Sequence, residues 1–517
     1  MTVRSLALGA IIALTAGPAQ AGSLSQEIEY LLQTHPQINA ARNEVSAATE
    51  GVKSAFSEYL PQMTLFSDYG YQKTDSPGLR AVRNGRDLDT TRDKVTVTIT
   101  QNLFDGFRRE TNNETARLNR TVAEIDLDAT RQQVFFEASS AYLNVLRHSQ
   151  LIDFAVRNEH IIQIQLNLED ERVQRGAGIS VDVLQAKSRL QIAKERRIAF
   201  EGNLKNAVTR YTQVFGRPPE MGSMMLPPLP VDQVPATLTE AEEAAAAENP
   251  TAINSQRAID IARQRKRGAR SPYYPRFDLV GEYNFEQDDE GVLGTRRDYT
   301  IKVQANWELF SGFSTRADSA EAAFRYLATI DNNAFVDRKV LEDVRLAWEQ
   351  LDTTRARVEL LENAVNIAIE VHDARQKLRE AGKETVMNVL DAENEVFNAQ
   401  ISLVDAEFDG RIALYRLVAA LGRLTPGALI EAASVEPDLS FVAWAAGAGA
   451  SSAAADEKMA GVAAKLENPM PAPVTAPAAP ARLVTTPAPP TTRPSAPPPV
   501  IGDGDIHPNF QRFWSFE

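Results

Sequence analysis

Apolar and polar side chains alternate in four places along the chain. Met63, Leu65, Tyr69 and Tyr71 fall on one side of an extended backbone. Val95, Val97, Ile99 and Leu103 do the same, with Thr96, Thr98, Thr100 and Asn102 on the other side. Phe277, Leu279, Tyr283 and Phe285 form a third set. Tyr299, Ile301, Val303, Ala305, Trp307 and Leu309 form a fourth, against Thr300, Lys302, Gln304, Asn306 and Glu308. Period two over about ten residues predicts a strand that hides one face. Aromatic residues near the ends of such a run suit a tilted membrane strand of ~9–11 residues.

Elsewhere the period is helical. Segments 24–56 and 238–270 each predict one helix of about 30 residues. Segments 107–175 and 313–381 contain no proline. Val340, Val344, Ala347, Leu351, Thr354, Val358, Leu361, Val365 and Ala368 step by four and three throughout. Val134, Ala138, Ala141, Val145, His148, Ile152, Ala155, Glu159 and Ile162 repeat that spacing. A sustained seven-residue period is the signature of a coiled coil. At ~1.5 Å per residue each long segment reaches on the order of 100 Å. Each turns at glycine, at Gly176-Ala177-Gly178 and at Ala381-Gly382, and a return helix runs back to Gly216 or Gly422.

The two halves are copies. His35-Pro36 matches Asn249-Pro250, Tyr59 matches Tyr273 and Tyr69 matches Tyr283, all at an offset of 214. Leu103-Phe104-Asp105-Gly106-Phe107 matches Leu309-Phe310-Ser311-Gly312-Phe313 at 206, and Gly176 matches Gly382 at the same offset. The first copy therefore carries eight extra residues between its two strands. This organisation predicts a first repeat over 22–230 and a second over 231–430, joined by the proline-rich stretch 218–235.

The ends differ from the middle. Arg4, the apolar run 6–16 and Ala19-Gln20-Ala21 read as a secretory signal peptide over 1–21. Residues 431–517 are rich in alanine and proline, with 12 of the 28 prolines in 469–499, and are expected to be mostly disordered. No later stretch is long and apolar enough for a spanning helix.

Composition narrows the function. The chain has 517 residues, a formal net charge of −14, five histidines and no cysteine. Thiolate chemistry, disulfides and a lipid-modified cysteine are excluded. The acidic balance argues against nucleic acid as a partner. His35, His148, His160 and His372 are isolated, and no phosphate loop, metal spacing or nucleophile–base set is present. The expectation is a protein that is not an enzyme and takes no cofactor. Arg263, Arg265, Lys266, Arg267 and Arg270 form a basic run before the third strand, placed to meet anionic lipid headgroups.

Four membrane strands cannot close a barrel, which needs about eight or more, and an open edge in lipid leaves backbone groups unpaired. The chain must therefore oligomerise. Two-copy order, strand pairs and long coiled-coil helices together resemble the TolC family of outer-membrane factors. The stretches Arg175-Gly-Ala-Gly-Ile-Ser-Val-Asp182-Val-Leu and Glu380-Ala-Gly-Lys-Glu-Thr-Val-Met-Asn388-Val-Leu-Asp391 look like that family's two periplasmic tip turns. The first stretch looks like the branch serving type I protein secretion.

The resemblance implies a mixed α/β membrane protein. A trimeric transmembrane β-barrel with four strands per chain would continue into a long α-helical coiled-coil barrel. It implies a homotrimer in the outer membrane of a Gram-negative bacterium, with its trunk in the periplasm. It also implies a periplasmic adaptor, an inner-membrane ABC transporter, outer-membrane lipid and an exported protein substrate as partners, with small-molecule efflux as the alternative. At the periplasmic aperture, Asn388 and Asp391 take the places of the family's narrowest ring, Asp182 the place of its latch aspartate, and Arg379 and Glu384 the places of latch partners. Asn388 departs from the aspartate of the best-known member. Val173, Arg175, Gly176 and Gly178, with Leu378, Ala381, Gly382 and Lys383, resemble the turns that dock an adaptor.

Overall fold

The computed structural model describes residues 24–176 and 179–427. The signal segment, Gly178 and the alanine- and proline-rich tail lie outside the described residues. In each copy a helical pair precedes a strand hairpin, followed by one very long helix and a shorter return helix.

The first helical segment of each copy is broken in two. α1 (Leu24–Thr34) and α2 (Pro36–Ser57) meet at His35. After the first repeat, α6 (Leu238–Glu248) and α7 (Pro250–Gly268) meet at Asn249. The single helices expected over 24–56 and 238–270 are therefore corrected. Proline has no N–H to donate and forces the preceding residue out of the helical region. His35 and Asn249 accordingly have ψ of 125° and 123°.

The four strands are β1 (Gln62–Thr74), β2 (Leu88–Phe104), β3 (Arg276–Gln287) and β4 (Thr295–Asn306). They form one antiparallel sheet in chain order, so the two repeats join through β2 and β3. The register carries the alternation across all four strands. Leu65 pairs with Val97, Val97 with Tyr283, and Tyr283 with Tyr299. One face is thus apolar and exposed, with Leu65 at 70% and Ile301 at 84% exposure. The other face carries Thr98, Glu282 and Thr300 in the same row. β4 ends before Trp307 and Leu309, which lie beyond the strand rather than in it. The longer connection between the strands of the first copy contains α3 (Pro77–Val82), capped by the Ser76 hydroxyl accepting from the Leu79 N–H at 3.3 Å.

α4 (Arg108–Gln174) and α8 (Ser314–Glu380) have 67 residues each, and α5 (Ser180–Phe215) and α9 (Val386–Leu421) have 36 each. The four-three seams are where the helices bury themselves. Val134, Ala138, Ala141 and Val145 are buried on α4, and Val340, Val344, Ala347, Leu351 and Val358 on α8. Among the described residues no helix is long and apolar enough to cross a membrane.

The proline-rich linker straps across the trunk. The Tyr142 hydroxyl donates to the Met225 carbonyl at 2.8 Å and accepts from the Met225 N–H at 3.0 Å. The Tyr415 hydroxyl donates to the Pro228 carbonyl at 3.1 Å.

Candidate functional site

The far end of the trunk is built from the two helical hairpins, α4–α5 and α8–α9. Ile162 and Leu166 from α4, Val183, Ala186 and Leu190 from α5, and Val386 and Leu390 from α9 make a small separate core there. That core ties the tip of one repeat to the tip of the other.

Both reversals rest on a glycine in the left-handed region, Gly176 at φ +77° and Gly382 at φ +72°. At the second, the Gly382 N–H donates to the Arg379 carbonyl at 2.9 Å and the Lys383 N–H to the Leu378 carbonyl at 2.9 Å. This pair of bonds ends a helix by closing its last carbonyls, and a residue without a Cβ adopts the required φ at least cost. Ala381 is the last residue before the left-handed glycine. At the first turn the Gly176 N–H donates to the Val173 carbonyl at 3.0 Å, and Arg175 pairs with Glu171 at 3.2 Å. Thr385 starts α9, its hydroxyl accepting from the Asn388 N–H at 3.3 Å. Ile179, Val181, Leu184 and Leu378 are exposed around the turns.

Arg379, Asp391 and Glu384 each find a different partner at the tip. Arg379 on α8 reaches Glu169 and Gln165 on α4, and Glu169 also accepts from Arg172 at 3.3 Å. The side chains of Arg379 and Glu169 are 10% and 4% exposed, so this pair is buried. Asp391 on α9 pairs with Arg189 on α5. Glu384 accepts from the Asn388 side-chain amide and from the Thr385 N–H. These two bonds, the amide first, hold the Glu384 carboxyl below its ordinary value. Arg375 fixes the same turn by donating to the Asn388 carbonyl at 2.9 Å.

Arg379 and Glu384 thus do not meet Asp182. Among the described residues Asp182 forms no ion pair, and its N–H donates to the Ile179 carbonyl at 3.1 Å. The partners of Arg379 are on α4, the long helix of the first repeat, not on its return helix α5. Glu169, Gln165, Arg189 and Arg375 were not singled out from the sequence. The seam gives the signal. Continued past Ile162, the four-three stepping reaches Leu166 and Glu169. Continued past Ala368, it reaches His372, Arg375 and Arg379. The seam of α8 turns from apolar to charged as it approaches the tip, whereas that of α4 carries Glu169 between the apolar Leu166 and Val173. His372 lies 3.0 Å from Glu393, whose carboxyl is pushed up by burial.

A charged seam between helices has alternatives that an apolar one lacks. Its partners can be exchanged for water or for another charge, whereas an apolar seam can only be exposed.

Two stretches, 28–217 and 242–423, match the family described as outer membrane efflux protein. Their starts lie 214 residues apart (242 − 28) and their ends 206 apart (423 − 217), the two offsets of the internal repeat. The outer membrane efflux protein BepC of Brucella suis is 25% identical over 427 residues, 82% of this chain and 91% of its own length. The outer membrane protein TolC of Escherichia coli is 22% identical over 78% of this chain and 83% of its own. The alkaline protease secretion protein AprF of Pseudomonas aeruginosa is 25% identical over 86% of this chain and 92% of its own. A crystal structure of a membrane protein from Pseudomonas aeruginosa superposes with a TM-score of 0.68 at 18% identity, over 78% of this chain and 90% of that one. The chain belongs to the outer membrane efflux protein family, the TolC-like channels of the Gram-negative outer membrane whose helical trunks stand in the periplasm.

Proposed function

We propose that this chain is the outer-membrane channel of a type I protein secretion system. Three copies would close the sheet into one barrel, because β1 and β4 each leave an edge unpaired within a chain, and lipid does not tolerate such edges. The polar face then lines a wet lumen and the apolar face meets lipid. A periplasmic adaptor docks on the tip turns around Gly176 and Gly382, where Ile179, Val181, Leu184 and Leu378 offer apolar contact. An inner-membrane ABC transporter supplies the energy, and an unfolded exported protein passes through.

The observation that carries the reading is the change from apolar to charged positions along the α8 seam at the tip, with Arg379 buried against Glu169. In this reading the mouth is the part that rearranges. Asp182, Asn388 and Asp391 line that mouth in this reading, and Arg379 and Glu384 hold it. The choice of a protein substrate follows the relative AprF, which is named for secretion of alkaline protease and spans 86% of this chain. The alternative, export of small molecules, follows BepC, named as an efflux protein.

A strain lacking the gene tests the choice. Its surface and medium proteins are compared with the parent's by mass spectrometry, and dye and detergent tolerance are measured alongside. Loss of one large exported protein with unchanged tolerance is expected. An unchanged protein profile with dye accumulation assigns the channel to efflux instead.

A further inference from the structure

Where the sheet meets the trunk, the outward surface changes from apolar to basic. The end of α7 carries Arg263, Arg265, Lys266 and Arg267, and Arg270 follows it. Arg263, Arg267 and Arg270 are spaced four and three, so they share one face. Arg267 shows which face it is. Its guanidinium lies 5.8 Å from the centre of the Phe107 ring and pairs with Glu110 at 3.0 Å. Phe107 makes edge-to-face contacts with Phe104 at 5.5 Å and with Tyr274 at 6.0 Å. Phe104 in turn lies 6.4 Å from Phe277, which the strand alternation sets on the apolar face with Leu279 and Tyr283. The basic stripe therefore continues the lipid-facing side of the sheet.

Three features make this more than an ordinary solvated helix end. Arg263, Lys266, Arg267 and Arg270 on and beside this face outnumber the carboxylates that meet them, Asp260 at 3.0 Å from Arg263 and Glu110 at 3.0 Å from Arg267. Tyr273, Tyr274, Trp307 and Phe310 are exposed at the same ends of β3 and β4. The fold does not require most of the charges, because at offset 214 the first repeat has the uncharged Thr49, Gly51, Val52 and Phe56 in the places of Arg263, Arg265, Lys266 and Arg270, and a cation only at Lys53.

We propose that this band binds the phosphate headgroups of anionic glycerophospholipids in the periplasmic leaflet, and so fixes the depth of the sheet in the membrane. Aromatic rings settle at headgroup level, and arginine lays its stem on apolar surface while its guanidinium reaches phosphate. With no cysteine in the chain, no thioether-linked lipid can perform this anchoring. The inference rests on the sheet being the membrane wall. Phosphates of lipid A face the other end of the strands and are not the ligand.

The test uses the full chain purified in a zwitterionic detergent. Phosphatidylglycerol, phosphatidylethanolamine of the same acyl chains, or lipid A is added, and the lipid retained per protomer is counted by native mass spectrometry. The wild type is expected to retain phosphatidylglycerol over phosphatidylethanolamine. Each neutralised arginine should weaken that preference roughly fivefold. The double variant Arg263→Gln/Arg270→Gln should therefore lose most of it, while Arg267 and Lys266 keep their ring contacts. Equal retention of the two phospholipids, an undiminished preference in the variant, or retention of lipid A in their place overturns the proposal. Should the variant not assemble, salt decides with the wild type. A preference that falls as salt is added supports the site, and one that does not fall overturns it. A wild type that forms no heat-resistant oligomer in detergent would count against the channel reading itself, not against the lipid site.

Discussion

Arg379, in the last turn of α8, donates to Glu169 on α4, so the long helix of the second repeat is clamped to that of the first close to both tip turns. The clamp is buried and charged, and Gln165 and Arg172 complete it. Removing one partner of a buried pair leaves the other uncompensated, at a cost of about 3–5 kcal/mol. That cost falls on the tip and not on the apolar trunk. Glu169→Gln is therefore expected to leave the assembled channel intact and to raise its single-channel conductance in planar bilayers. Conductance equal to wild type in both Glu169→Gln and Arg379→Gln would remove the clamp from the gating account.

Asn388 sits one helical turn after Glu384 and one before Asp391. Its amide is engaged by Glu384, which leaves Asp391 as the nearby carboxylate, itself paired with Arg189. Asn388→Asp adds one carboxylate per chain at the proposed ring. It also sets two carboxylates four residues apart, which repel. Cation selectivity, read from reversal potentials in a salt gradient, should rise in Asn388→Asp and fall in Asp391→Asn. If neither substitution moves the reversal potential, these residues do not line the narrowest point.

Much of the fold was legible because two periods and one repeat are written plainly in the sequence. Alternation placed Leu65, Val97, Tyr283 and Tyr299 on one face, and the pairing of the strands puts them in one row. The long helices begin and end within a residue of the segments read from the seam. The break at His35 and Asn249 was missed because a helix-period pattern continues across each proline, although proline itself was the signal. The tip pairs were missed for a different reason. The motif around each turn names only local residues, whereas the partner of Arg379 is Glu169, 210 positions away. Sequence spacing within one helix can flag a charge at a buried position, but only the packing of α8 on α4 names its partner.

The linker is fixed to the trunk by hydroxyls. Tyr142 is buried, which pushes its phenol up to about 12, and its oxygen serves both polar groups of the Met225 backbone. Tyr142→Phe keeps the ring and leaves those groups without that partner. A loss of about 1–3 kcal/mol is expected. It should appear in thermal melts of the purified protein and as faster proteolysis within 218–235. A melting temperature equal to wild type would show that the linker needs no such tie.

Acid should weaken the trunk through two imidazoles. His35 and His148 are both held below the ordinary value of 6.5, first by burial and, for His148, then by the Arg147 charge. Glu137 and Asp405 oppose these shifts without cancelling them. The unfolded chain takes up these protons near 6.5, and the folded chain only at lower pH. Stability from these groups is thus complete above about 6.5 and is lost as pH falls through that value toward the folded one. Wild-type melting temperature should drop between about pH 7.5 and 5.5, and His35→Gln/His148→Gln should drop less over the same window. Parallel curves for the two proteins would contradict the assignment.

Gly216 and Gly422 end the return helices at matching places in the two repeats, with φ of +72° and +84°. A residue with a Cβ in that region costs roughly 1–2 kcal/mol, and both positions share that term. The surroundings do not match. A Cβ on Gly216 would meet nothing within 4 Å, whereas on Gly422 it would lie 2.5 Å from the Glu248 carbonyl oxygen and 2.9 Å from the Asn249 Cα. Those are backbone atoms at the break between α6 and α7, where the Asn249 side-chain amide also donates to the Ala420 carbonyl at 2.7 Å. Backbone cannot turn aside as a flexible side chain can, so Gly422→Ala must displace the junction. Gly216→Ala should lower the melting temperature modestly, and Gly422→Ala substantially more, with reduced recovery of heat-resistant oligomer. Equal effects would mean that the α6–α7 junction yields freely. The repeat would then be symmetric in tolerance as well as in sequence.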